Sequence, residues 1–550
     1  MKFKFTILFF LFPLTCIFNS LFSQDYTLKL SSKKRSDFFI LNTIEYQKKH
    51  KDSLSIYNEL DKISSYLNKI GYFTHIIDSI SKSDYNFTAF FQLNTKIENA
   101  ILTLNNLPTT PIKEFNFKDN KLTIPIEKLQ ETLHQFSIDL EKKGKSFSKV
   151  TLREVKIENK NLYGTLIIKE SQKRTINKVF VKGYDDFPKS FIKNFFNIKQ
   201  NTTFNKNKLK KIEELSKNLN FAEKIKPPEV LFSKDSTYIY IYLKKKNASS
   251  FDGLVNFASK ENGKLLFNGH IDLKLSNFLN TGENLNLFWN RIGEERQEFE
   301  LSLEIPYIFN SSISPETSFS IYKQDSTFIN TKFNTAINYS INDKSKIGLT
   351  FSLEDSEKLI NNPNNNVATF SNFFLGTKYQ FSIPKNDFFR NNKFYFEINP
   401  LFGRRIGSNE NSNQFKILLQ ASYIFDINNR NSVFIRNNSG YLNSTTFIEN
   451  ELFRIGGANS IRGFNEQSIF TKDYTYFNIE YRYLTTEKSY LYTITDVGKI
   501  NTNSKSENLL SFGLGYLFTS KNSQINLSIA KNTSNTLKNV QLAINWVNYF

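Results

Sequence analysis

The 550-residue chain holds one cysteine and four histidines. With Cys16 as the sole cysteine, a disulfide framework and a cysteine-built zinc site are excluded. The histidines, His50, His75, His134 and His270, are scattered, so no histidine cluster stands ready for a metal. Long hydrophobic runs are missing as well. A polytopic helical membrane protein needs several runs of about 18 apolar residues, and the one such run is Phe5–Phe22. Catalytic signatures are also absent: there is no Gly-x-Ser-x-Gly elbow, zincin motif or phosphate loop. Gly513-x-Gly515 sits in a strand pattern with no helix after it, which suits packing rather than a nucleotide. The acids Glu300, Glu304 and Glu397 read as solvated groups of a polar strand face. No catalytic residue, cofactor or metal is expected, and the chain is not read as an enzyme.

Aromatic residues are abundant: 56 Phe, 26 Tyr and 2 Trp, or 15% of the chain. So many large apolar side chains offset the entropy of ordering and exclude a disordered protein. The N-terminus reads as an export signal over residues 1–23, with Lys2 and Lys4 before an apolar stretch and Leu21-Phe22-Ser23 as the cleavage site. A membrane anchor is the competing reading, but no stop-transfer flank follows. A lipoprotein site at Cys16 is another, weakened by Thr15 in place of the usual small residue.

The net charge of +20 is uneven. Residues 24–250 hold 41 Lys and Arg against 25 Asp and Glu, whereas residues 251–550 hold 29 against 27. A basic arm raises the question of nucleic acid. The lysines are dispersed through an exported, Lys- and Asn-rich chain, so no nucleic-acid partner is expected.

Three stretches repeat. Leu67–Phe73, Leu140–Phe147 and Leu215–Phe221 are similar helix ends, with leading leucines 73 and 75 residues apart. Ile56, Leu60, Ile63, Leu67 and Ile70 form one apolar stripe, and Ile126, Leu129, Leu133, Phe136 and Leu140 form a second. Gly71 and Gly144 suit the left-handed position that ends a helix. Strand patterns at Ala100–Leu104, Val150–Ile157, Leu162–Ile168, Thr175–Val181 and Thr237–Leu243 surround them. The reading is three α+β modules, at 24–97, 98–171 and 172–247, the first the least regular.

From Phe251 the period becomes two. Leu510, Phe512, Leu514, Tyr516 and Phe518 alternate with Ser511, Gly513, Gly515 and Leu517, and sixteen such runs extend to Val540–Phe550. A soluble sandwich would also alternate. The export signal, the even number of runs and the aromatic C-terminal residue Phe550 favour a barrel in lipid over residues 248–550.

The longest gap between runs holds Phe453-Arg454-Ile455-Gly456-Gly457-Ala458-Asn459-Ser460-Ile461-Arg462-Gly463-Phe464. Two glycines followed by Ile461-Arg462-Gly463-Phe464 make a special turn that aims one arginine. This segment resembles the Arg-Gly-Phe loop of the BamA/TamA superfamily, which includes the two-partner-secretion transporters. The resemblance covers essentially the whole mature chain. It implies POTRA repeats followed by a 16-stranded antiparallel transmembrane β-barrel, in the bacterial outer membrane with the modules in the periplasm. It also implies that the sixth outer loop folds into the lumen, with Arg462 paired to Glu480 and Asp496. Asp496 shares a strand face with Tyr492 and Ile494, which requires inward apolar groups or a bulge, so Glu480 is the safer partner. By the same resemblance, three modules look most TamA-like. The function implied is capture of unfolded outer-membrane or secreted client proteins and their insertion into, or passage through, outer-membrane lipid, with a TamB-like inner-membrane partner. A dedicated two-partner-type secretion pore is the alternative, and a porin or barrel enzyme a remote one.

Overall fold

The computed structural model describes residues 25–104, 120–259, 265–292, 296–360, 366–407, 411–502, 505–533 and 540–550. The expected signal segment 1–23, with Cys16, lies outside them. The chain divides into two units at Lys173/Arg174.

The first unit contains two sheets. One is built from β1 (Tyr26–Ser31), β2 (Lys49–His50), β3 (Ile76–Ser83) and β4 (Asn86–Gln92), with α1 (Arg35–Asn42) and α2 (Ser53–Lys69). The other has β5 (Asn99–Leu104), β6 (Lys121–Pro125), β7 (Lys149–Glu158) and β8 (Asn161–Lys169), with α3 (Leu129–Lys142). The stripe Ile56, Leu60, Ile63 and Leu67 on α2 is buried against Leu28, Leu30, Phe87, Ala89 and Phe91, alternate residues of β1 and β4. Each such side chain contributes about 1.5–3 kcal/mol on burial, so the stripe rather than helix propensity holds α2 in place. Asp52 accepts the Ser55 amide at 2.8 Å and caps the start of α2. Gly71 (φ +103°) and Gly144 (φ +85°) follow α2 and α3 in the left-handed region. In the second sheet the first-strand edge is covered by β6, an extra strand that the repeat did not suggest.

The second unit opens with β9 (Lys178–Lys182), α4 (Lys189–Asn194), α5 (Lys206–Lys217), β10 (Ala222–Phe232) and β11 (Thr237–Lys245). The expected opening strand Thr175–Val181 starts later, at Lys178. Residues before it are tied instead to the segment preceding α5, through the Thr175–Thr203 bridge and the Phe204 amide on the Arg174 carbonyl. All three small sheets share one rule: the first strand lies parallel to the last, which is antiparallel to the one before it.

Sixteen strands then close into a barrel. They are β12 (Ser250–Ser259), β13 (Leu265–Ser276), β14 (Asn284–Ile292), β15 (Arg296–Glu304), β16 (Ile313–Gln324), β17 (Phe328–Ser340), β18 (Ser345–Lys358), β19 (Phe370–Pro384), β20 (Asn392–Gly407), β21 (Ser412–Asp426), β22 (Asn431–Asn443), β25 (Asp473–Thr486), β26 (Ser489–Asn501), β27 (Ser506–Thr519), β28 (Ser523–Asn532) and β29 (Val540–Tyr549). A two-stranded hairpin, β23 (Phe453–Ile455) with β24 (Ile469–Thr471), lies in the connection between β22 and β25.

The polarity of the barrel is inverted relative to a soluble core. Leu514 (62% exposed), Leu542 (71%) and Ile544 (65%) face outward, while Asn330, Ser352, Glu354, Ser356 and Gln414 are buried. An apolar exterior on a closed sheet, whose strands pair their backbones with one another, is the arrangement that spans a membrane.

Module three is seated on the rim where β12 begins. The Asn277 side-chain amide donates to the Tyr184 hydroxyl at 2.6 Å, the Phe191 and Tyr307 rings meet edge-on at 5.0 Å, and Lys211 pairs with Asp343 at 2.8 Å. All three barrel residues lie in turns, so this is the rim of short connections. The β22–β25 connection starts from the opposite rim.

Candidate functional site

The β22–β25 connection turns into the lumen and is held on two walls. On one, Asn450 donates to Ser356 Oγ at 2.6 Å and its carbonyl accepts from Asn330 at 2.6 Å. Beside it Glu451 takes Arg405 Nη1 at 2.6 Å and Gln414 Nε2 at 2.9 Å. The Arg454 guanidinium lies 3.5 Å above the Tyr322 ring of β16.

The tip reaches the other wall. Gly456 (φ +112°) and Gly457 (φ +102°) reverse the chain, and Ile461 is fully buried with Ile455, Tyr476, Ile500 and Leu509, with Phe464 packed alongside. Gly463 (φ +82°) rests on the backbone of β28, where a Cβ would meet the Lys531 carbonyl carbon and the Asn532 nitrogen at 2.9 Å. The Gly463 carbonyl accepts from Asn532 Nδ2 at 2.7 Å.

Between these contacts Arg462 is 8% exposed. Its Nε and Nη2 donate to the two oxygens of Asp496 at 2.9 and 2.6 Å, its own amide donates to Asp496 Oδ2 at 2.8 Å, and Nη1 donates to Glu480 Oε1 at 2.5 Å. The guanidinium therefore forks across both carboxylates, a geometry that the planar arginine side chain permits and an ammonium does not.

The structure brings both expected partners, Glu480 and Asp496, to Arg462. Asp496, with no exposed surface, takes three of the four hydrogen bonds, and Glu480 takes one. No bulge is involved: β26 pairs with β27 in unbroken register from Ser489–Phe518 to Asn501–Ser506. Tyr492 and Ile494 simply face inward, buried with Leu517 and Ala530. A lumen wall under a folded-in loop has an apolar patch of its own, so alternation does not force every inward residue to be polar.

Sequence reasoning missed the second cation. Arg482 donates to Glu480 Oε2 from Nε at 2.8 Å and stands 4.1 Å over the Phe434 ring. It alternates with Asn478 and Glu480 on one strand face, a signal that was available. Arg436 was missed too; it donates to Asn478 Oδ1 at 2.9 Å, and Asn478 in turn donates to the Ser460 carbonyl at 2.9 Å. Arg462 and Arg482 balance Glu480 and Asp496 in charge, and Arg436 is a third guanidinium beside them, held on the neutral oxygens of Asn478 and Asn459.

The remaining sequence-selected residue, Phe550, is exposed on the outer face, and its amide donates to the Ser249 carbonyl at 2.9 Å, beside the barrel seam. That seam is thinly joined. β12 and β29 pair at Ser250–Tyr549 and Phe251–Asn548, with no further partners among the described residues. β28 and β29, by contrast, pair from Ser523–Asn548 to Lys531–Val540.

The class so defined is a closed β-barrel with an apolar exterior, carrying small α+β modules and an arginine-clamped inner loop. No family model matches the chain, and no curated protein does. Solved structures do. CdiB from Escherichia coli is similar over 90% of this chain and 97% of its own, at 13% identity and TM-score 0.52. CdiB from Acinetobacter baumannii is similar over 82% and 90%, at 15% identity and TM-score 0.52. BamA from Haemophilus ducreyi lacking POTRA domains 1–3 aligns over 79% and 96%, at 14% identity and TM-score 0.46. The chain thus shares the fold of the two CdiB structures along most of its length.

Proposed function

We propose that this protein inserts client proteins into the outer membrane or passes them through it, opening its barrel at the β12–β29 seam. The observation that carries this is the seam: two ten-residue strands joined at one end only, in a barrel whose other neighbouring strands pair along their length. Unpaired strand edges recruit other strands. The modules, taken as 24–97, 98–171 and 172–247, offer extended client segments the same chemistry by β-augmentation. The outer edges β3, β7 and β10 each carry a register shift, and β10 contains Pro227 and Pro228, so capture there is limited to short stretches. β9 is straight and has no strand on its outer side in the sheet order. Arg462, with Glu480 and Asp496, acts structurally, keeping the loop inside the barrel. The function requires no covalent chemistry. A TamB-like inner-membrane partner belongs to this reading, and a dedicated secretion pore would require the inner loop to leave the lumen first.

The test is a disulfide across the seam. Phe251→Cys with Asn548→Cys places the only cysteines outside the signal segment on register partners. Oxidation is expected to stop client insertion and reduction to restore it. Full activity of the crosslinked protein would refute lateral opening and leave the pore reading.

A further inference from the structure

The connection between β19 and β20 belongs to the eighth and ninth barrel strands, on the side of the barrel opposite the seam. It does not stay there. Phe389 packs edge-on against Tyr490 of β26 at 4.7 Å, alongside Tyr492, Ile494, Leu517 and Ala530. The next residue, Arg390, donates from Nη2 to the Asn247 carbonyl at 3.1 Å, in the link between module three and β12. Its guanidinium also stands 3.8 Å over the ring of Tyr549, the last residue of β29. Residues 385–391 therefore cross the module-side mouth of the barrel and touch both sides of the seam, the end of β29 and the link that leads into β12.

The crossing segment is shaped for this. Asp387 Oδ1 accepts the amides of Phe389 and Asn391 at 3.0 and 3.3 Å, the Lys385 amide donates to the Asn391 carbonyl at 2.9 Å, and Lys385 Nζ is anchored on Asp426 at 2.6 Å. Arg390 itself sits at φ +58°, a conformation that L-residues adopt only when their surroundings dictate it. Tyr549 is also the residue paired with Ser250, so Arg390 grips the seam at the end where its strands are joined.

We infer that residues 385–391 form a strap across the barrel mouth and that Arg390 is a positioning residue that holds the seam shut. Arg390 is exposed to solvent, so its hold is weak enough to yield. Asn247 lies two residues beyond β11, so displacement of module three pulls directly on the strap. Loading of the modules and release of the seam become one event. This builds on the lateral-opening reading, but the strap itself is measurable without any client.

The experiment uses the full chain in lipid bilayers. Spin labels at Phe251→Cys and Asn548→Cys report the seam distance, and single-channel conductance reports the mouth. Arg390→Ala is expected to raise the open-seam population about ten-fold, the combined effect of one hydrogen bond and one exposed cation–π contact, and to raise conductance. Tyr549→Leu should reproduce the seam effect, Phe389→Ala the conductance effect, and Arg390→Lys should restore most of both, since an ammonium still sits over the ring. If Arg390→Ala changes neither the distance nor the conductance, the strap is refuted, whatever clients do. If the seam loosens yet client insertion is unaltered in rate, the strap stands and lateral opening fails.

Discussion

Replacing Arg462 by alanine removes three side-chain hydrogen bonds but does not strand both acids equally. Glu480 keeps Arg482, which lies at 2.8 Å from Nε and 2.7 Å from Nη2. Asp496 keeps only the residue-462 amide among its contacts with that residue, and it has no exposed surface. The cost is therefore mainly that of one buried carboxylate without its cation. Breaking a buried pair from one side costs about 3–5 kcal/mol. At about 1.4 kcal/mol per factor of ten, the loop would leave its site about two to three and a half orders of magnitude more often. The barrel keeps its own ladder and should still insert. Limited proteolysis and amide exchange over residues 453–471 are expected to show that loss of protection, with impaired activity. Arg462→Lys should rescue poorly, because it cannot span both carboxylates. Adding Asp496→Asn to Arg462→Ala should recover part of the loss, since the stranded charge is gone. Adding Glu480→Gln should worsen it, since Arg482 then loses its carboxylate. Wild-type protection in Arg462→Ala, or equal behaviour of the two double variants, would refute the reasoning.

Two further outcomes are expected. Gly463→Ala places a methyl group on the backbone of β28 at a positive φ, and should loosen the loop by about 1–3 kcal/mol, read as earlier proteolysis near residue 463; unchanged protection would count against that close approach. The junction of module three with the barrel should also depend on pH. Burial alone would raise the Glu283 carboxyl, but hydrogen bonds from the Thr281 hydroxyl and the Leu279 and Thr281 amides outweigh it and hold the group below its ordinary range. A depressed carboxyl stabilises the fold above its unfolded value, about 4.3, and that contribution fades as pH falls through the lower folded value. Exchange protection of residues 277–283 should therefore be flat near neutrality and drop only below about pH 4, and Glu283→Gln should remove the dependence.

Several features were legible without coordinates because they are local. The four-three spacing of Ile56, Leu60, Ile63 and Leu67 specifies one face of a helix, and Leu510 to Phe518 specify one face of a strand, whatever lies beyond them. Gly456, Gly457 and Gly463 mark turns because their backbone conformations are closed to other residues. β10 was not legible: Pro227 and Pro228 interrupt its pattern, and only pairing to β11 makes it a strand. Nor was the extra strand β6.

What residues 251–550 determined by themselves was the number of strands and which side chains share a face. The partners across the lumen are set by tertiary structure, and Glu480 and Asp496 were named beforehand only through the resemblance. Arg462 meets Asp496 34 residues away, and Arg390 reaches Asn247 across 143. Period-two alternation says inward or outward, but not opposite what. That follows from closing sixteen strands into a ring and folding one loop and one turn across it, which sets inward residues of distant strands side by side. That Asp496 takes more of the Arg462 hydrogen bonds than Glu480 has the same cause: the loop supplies Asp496 with them, and no pattern within β26 contains the loop.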